Sequence, residues 1–253
     1  ITETFPDWQE RLLRMYDPVD WALNGKNLPV LAYCGDEDPA LGQHQQMIAR
    51  LREEGVPFQE YLGPKTPHRY EPAARAAILK EMSSKRRDTD AREIHFVTYT
   101  LRWPECKWAR VEGLERHWDR AEVHAVIGEG HRVQVTTRNV SALRLLPPGG
   151  AARLAVDGVE VRGGSVSGPT YLVKKNGRWQ VGRLEGRRKK HGLQGPIDDA
   201  LFGPVLAVSG TGTPWNAGLQ RWSDRELQRF RDGWDEYFRA TLPERTDRAL
   251  TPE

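Results

Sequence analysis

A short apolar run at residues 28–34 ends abruptly in Gly35-Asp36-Glu37-Asp38-Pro39. It is too short for a buried helix and is bounded by turn residues, which suits a fully buried strand of a parallel sheet. Residues 43–54 then carry Met47, Ile48 and Leu51 on one helical stripe, with Arg50, Arg52, Glu53 and Glu54 off it, and Gly55 follows as a stop. Alternation resumes at 58–62 and ends at Gly63-Pro64. Helical spacing returns at 71–82 through Ala74, Ala77, Ile78 and Met82. A short helix at 8–16, with Trp8, Leu12, Leu13 and Tyr16 on its stripe, leads in and is stopped by Asp17-Pro18. Residues 1–90 therefore read as strand, helix, strand, helix. The acidic cluster falls at the carboxyl end of the first strand.

From about Glu93 the period changes. Alternating segments at 94–101, 121–127, 132–137 and 141–146 read as short strands. Asp157-Gly158 and Asn176-Gly177 each separate two apolar runs, a strong hairpin signal because both dipeptides tolerate positive φ. Residues 91–186 are expected to form a β-rich domain. Residues 187–253 hold the basic run Arg187-Arg188-Lys189-Lys190, a strand-like segment at 204–208 and a long amphipathic helix striped by Leu227, Phe230, Trp234, Tyr237 and Phe238. Ser223-Asp224-Arg225-Glu226 fits a capping box at that helix's start. A lone strand and helix cannot make a sheet, so this α/β appendage is expected to dock on a neighbour.

Composition excludes several classes. The longest apolar stretches fall far short of the roughly 20 residues that cross a bilayer, so no membrane partner is expected. A net charge of +3 over 253 residues gives no general polyanion-binding field. The basic run lacks interleaved aromatics, which makes nucleic acid an improbable partner. Cys34 and Cys106 cannot build a four-thiolate zinc site. His44, His95, His117, His124, His131 and His191 show no His-x-x-x-His or Glu-x-x-His spacing, so no metal or other cofactor is expected. Gly210-Thr211-Gly212-Thr213 lacks a phosphate-loop lysine and reads as a plain loop. Trp103, Trp108, Trp118, Trp179, Trp215, Trp222 and Trp234 all follow residue 100, and core packing is the expected role for most.

The chemistry-bearing pair is Asp38, just past the first strand, and His68, in Gly63-Pro64-Lys65-Thr66-Pro67-His68 after the second. Loops at the carboxyl ends of parallel strands meet at one rim of the sheet, where open α/β folds place their sites. A carboxylate there can fix the tautomer of an imidazole that takes a proton from a hydroxyl nucleophile. Asp36 is the reserve for the acid.

On these motifs residues 16–82 resemble the C-terminal half of the catalytic domain of α/β-hydrolases, in the prolyl oligopeptidase-like and esterase-like branch. The resemblance rests on a strand ending in Gly-x-x-Asp, a helix, a strand, and Gly-Pro-x-Thr-x-His before a closing helix. It implies a partial α/β-hydrolase sheet with Asp38 as triad acid and His68 as general base, acting on an ester or peptide substrate. Residues 95–101, 136–143 and 191–200 look like the accessory C-terminal region of a subset of such hydrolases. One departure matters: no Gly-x-Ser-x-Gly precedes the acid and the histidine. Gly163-Gly164-Ser165-Val166-Ser167-Gly168 lies downstream with the wrong spacing, in an expected turn. The nucleophile serine is therefore expected from a missing N-terminal part of the same protein. The chain alone should be an inactive fragment that tends to self-associate. The competing expectation is a non-catalytic module whose β-rich domain binds protein or carbohydrate.

Overall fold

The computed structural model describes residues 5–251 except 87, 162–167 and 202. The chain mixes helices with parallel and antiparallel sheets and forms two compact units, residues 1–194 and 195–253. The expected break at 187 thus falls inside the first unit, which holds both the segment before 90 and the β-rich region. Residues 187–194 belong with that region: the Arg188 guanidinium donates to the Glu112 carbonyl at 3.1 Å, and Gln194 Oε1 accepts from the buried Thr100 hydroxyl at 2.6 Å.

The first unit opens with α1 (Asp7–Leu13), a 3₁₀ helix (Pro18–Asn27), β1 (Val30–Gly35), α2 (Leu41–Glu53), β2 (Phe58–Gly63) and α3 (Pro72–Ser84). β1 and β2 pair in parallel, Val30 opposite Phe58 through Gly35 opposite Gly63. One face of the pair packs Val30, Ala32 and Phe58 against Ile48 and Leu51 of α2 and Ala22 of the 3₁₀ helix. β1 is not the fully buried strand expected from its composition, because only Cys34 and Gly35 are buried along it. A two-stranded sheet has too few neighbours to cover both faces of a strand.

The β-rich region builds two five-stranded sheets. One runs in the order β10 (Val159–Glu160), β9 (Arg153–Val156), β7 (Arg132–Arg138), β6 (Ala121–Ile127), β3 (Glu93–Thr98). The other runs β12 (Arg178–Val181), β11 (Thr170–Lys175), β8 (Val140–Leu145), β5 (Ala109–Leu114), β4 (Glu105–Cys106). Inward residues of both, including Ile94, Val123, Val133, Val111, Leu143 and Leu172, fill one core. Asp157 and Gly158 take φ of 50° and 79°, and Asn176 and Gly177 take 50° and 74°, the left-handed turn geometry that these dipeptides signal. Residues 163–167 of the Gly-Ser segment lie outside the described residues.

The 3₁₀ helix joins the two parts of this unit. Asn24 Oδ1 accepts from Val97 N at 2.9 Å while its Nδ2 donates to Val97 O at 3.0 Å. Asn27 makes the same pair of bonds with His95 N and O. A 3₁₀ helix advances about 6 Å in three residues, and a strand about 6.8 Å in two. Asparagines three apart on the helix therefore match alternate peptide groups on β3, the edge strand of its sheet.

The second unit contains β13 (Ala207–Ser209) and β14 (Glu244–Thr246), paired in parallel, and α4 (Ala217–Phe238). The segment expected to be a lone strand at 204–208 thus finds a partner within its own unit, one supplied by residues after the helix. α4 starts earlier than the capping box suggested. Asn216 caps it by accepting from Leu219 N at 2.9 Å, which puts Ser223 inside the helix. The tryptophan expectation also fails for most of its members: of the seven, Trp108 and Trp179 are buried, Trp118 and Trp234 half-buried, and Trp103, Trp215 and Trp222 exposed. Trp108 flanks β5 and Trp179 lies in β12, against a core; Trp215 and Trp222 lie just before and within α4, which buries no residue.

Candidate functional site

Asp38 and His68 lie in the two loops that follow β1 and β2, and the structure brings them together. His68 Nδ1 is 2.9 Å from Asp38 Oδ2 and 3.2 Å from Oδ1. The Asp38 side chain is 9% exposed and that of His68 85%, so a sheltered carboxylate holds an imidazole that projects into solvent. With Nδ1 turned to the carboxylate, Nε2 is the nitrogen that faces outward. Asp38 Oδ1 also accepts from Ala40 N at 2.8 Å. That backbone bond first, and His68 beside it, hold the Asp38 carboxyl below its ordinary range, outweighing the desolvation that opposes them.

The local backbone follows from a few residues. A Cβ at Gly35 would meet the carbonyl oxygen of Thr66 at 2.0 Å, so only glycine lets the second loop cross the end of β1. A Cβ at Gly63 would meet the Tyr33 hydroxyl oxygen at 2.3 Å. That hydroxyl donates to Arg69 O at 2.9 Å and accepts from Glu71 N at 2.8 Å, tying the histidine loop to the start of α3. Glu71 in turn caps α3 by accepting from Ala73 N and Ala74 N at 2.9 and 2.6 Å. Asp36, the reserve acid, faces the other way: its Oδ1 accepts from Thr66 N at 3.2 Å, and Glu37 N donates to Thr66 O at 3.1 Å. Asp36 pins the loop and Asp38 meets the imidazole. Tyr33 and Glu71 were given no role from sequence, and Thr66 entered only as part of the Gly-Pro-x-Thr-x-His motif, although the Gly-Pro turn and the helix start at Pro72 mark where such ties are needed.

Neither cysteine is poised to attack a substrate. Cys34 is buried behind the loops, where desolvation and the Asp38 charge raise its thiol's pKa. Cys106 lines an apolar cleft of about 490 Å³ together with Met15, Trp21, Phe96 and Trp103, and burial pushes it up to about 11. A thiol so raised stays protonated and weakly nucleophilic at neutral pH.

A second cluster has no counterpart in the helix-type spacings searched for in the sequence. His95 and His124 are direct partners across β3 and β6, and Glu93 sits two residues before His95 on the same face. His124 Nε2 and His95 Nε2 lie 2.9 and 3.1 Å from one oxygen, Glu93 Oε1, and the two imidazoles stack at 4.4 Å. The signal was Glu-x-His, the spacing of a strand rather than a helix. His44 instead pairs with Glu60, and His191 Nδ1 lies 3.0 Å from the Leu101 carbonyl oxygen. Arg188 and Lys189 of the basic run are engaged with backbone carbonyls.

Comparison with protein families, with curated proteins and with solved structures finds no match to this chain. Among the described residues no helix is long and apolar enough to cross a membrane.

Proposed function

We propose that the α/β part of the first unit is the C-terminal portion of an α/β-hydrolase catalytic domain, with Asp38 as orienting acid and His68 as general base. The observation that carries this reading is the 2.9 Å contact between a sheltered carboxylate and Nδ1 of an exposed imidazole, at the carboxyl ends of two parallel strands. Asp38 fixes the tautomer with the proton on Nδ1 and stabilises the imidazolium that forms when Nε2 takes a proton. A serine hydroxyl supplied by a segment preceding this chain would be the proton's source, its oxygen attacking an ester or peptide carbonyl. The tetrahedral intermediate would break its bond to the alcohol or amine, which leaves with the proton returned from His68 Nε2. Water would then hydrolyse the acyl-enzyme to a carboxylic acid and free serine. The segment would add further parallel strands to the β1–β2 pair and the donors that stabilise the tetrahedral oxyanion.

The test is a fluorophosphonate probe applied to the chain with and without its upstream coding sequence. The longer protein labels and the present chain does not. In the longer protein His68→Ala slows labelling by more than about 10³-fold, and Asp38→Asn, which leaves the wrong tautomer, by roughly as much. Labelling at an unchanged rate in His68→Ala would remove the assignment.

A further inference from the structure

We propose that Glu93, His95 and His124 form a binding site for a divalent first-row transition metal ion, of which zinc is the representative. The inference is independent of the hydrolase reading, since the three residues lie on the outer face of the β3–β6 pair and not on the loops that carry Asp38 and His68.

Three donor atoms of the appropriate kind converge there. One candidate ligand atom from each residue lies within 4.8 Å of the other two, and both imidazole Nε2 atoms point at the same carboxylate oxygen. Ligands about 2.0–2.1 Å from a tetrahedral zinc ion stand roughly 3.3 Å apart. The observed 2.9 and 3.1 Å separations lie close to that value, the two imidazole nitrogens lie within 4.8 Å of each other, and the Glu93 side chain is 55% exposed and free to adjust. The scaffold is rigid, because the intervening residues Ile94, Phe96, Val123 and Ala125 are buried in the shared core. The backbone of His95 is fixed a second time by Asn27.

Metal ligation requires a deprotonated donor from each residue, and the cluster offers two imidazoles and one carboxylate. The two imidazole nitrogens are borderline donors and the carboxylate oxygen a hard one, and the imidazole pair favours zinc, cobalt, nickel or copper over magnesium or calcium. Three protein ligands leave the fourth position, on the solvent side, to water or a small anion.

The untagged full chain, stripped with a chelator, is titrated with Zn²⁺ by calorimetry and with Co²⁺ by visible absorption. The expected result is one saturable site, with cobalt d–d bands of tetrahedral intensity. Glu93→Gln and His124→Ala change exposed side chains and should leave the far-ultraviolet spectrum of the fold intact. Each is expected to weaken binding by roughly 100-fold or more, since even groups behind metal ligands are worth 10–100-fold. His131→Ala, in the turn before β7, leaves the titration as it was. Absence of saturable binding overturns the proposal, as does binding retained within about twofold in either variant.

Discussion

The two parts of the first unit solve the burial problem differently. The two five-stranded sheets close on a shared core in which Ile94, Val133, Val140, Leu143 and Leu145 are fully buried. The β1–β2 pair has a far smaller cluster, Ala22, Ile48, Leu51 and Val56, with its strand residues only half-buried. Shape in that part comes from polar ties and close backbone crossings: Tyr33 across to Glu71, Asp36 to Thr66, and Gly35 beneath the second loop. The difference teaches where each kind of chemistry can sit. A well-packed sheet face can hold a preset donor cluster, whereas a site built from two loops depends on the ties beneath it.

The comparison is sharpened most strongly by paired core truncations. Leu143→Ala should cost about 3–5 kcal/mol, because a fully buried leucine leaves a cavity its rigid neighbours cannot close. Leu51→Ala should cost about 2–3 kcal/mol, since the smaller cluster relaxes more readily. Urea denaturation followed by tryptophan fluorescence and by far-ultraviolet dichroism measures both, and equal costs would erase the distinction. Gly35→Ala should be as damaging as Leu51→Ala, about 2–3 kcal/mol, through a clash rather than a cavity. It should also separate Asp38 from His68, which NMR of the His68 ring would register as loss of the Nδ1 hydrogen bond.

Asn24→Ala removes two bonds to β3 and should cost about 1–2 kcal/mol, with faster amide exchange at Val97. Unchanged exchange there would mean that the helix rests on the sheet without being fastened to it. The smallest effect concerns acid. The folded Asp38 carboxyl titrates below its ordinary value, so its contribution to loop order is fully present above about pH 4 and fades as pH falls through the lowered folded value. A carboxyl-carbon titration with its midpoint at or above about 3.9 would contradict the role given to Ala40 N and His68.

How much of this was legible follows from the same contrast. The Asp-Gly and Asn-Gly turns and the alternation of β6 and β7 are local rules, and the structure repeats them. The order of β1, α2, β2 and α3 is also local, and it led to Asp38 and His68, which meet as closely as the spacing required. What was hidden depends on partners distant in sequence. The half-burial of β1 follows from its sheet having two strands among the described residues. The hairpin of β4 and β5 turns on Lys107, whose φ of 51° has no glycine or asparagine to announce it. The meeting of His95 with His124 depends on strand register, which Glu93 and His95 alone do not specify. The 3₁₀ helix and its two asparagines were invisible because their partners are main-chain atoms some seventy residues away.

Those two asparagines have a practical corollary. By occupying alternate peptide groups of an outer strand with amides, they act as a counterfeit neighbouring strand and deny that margin to any other chain. A cut made near residue 90 would strip the mimic away, leaving a naked ladder of donors and acceptors on one product and two orphaned amides on the other. Dissection of this protein for study should therefore keep residues 18 to 98 in a single piece.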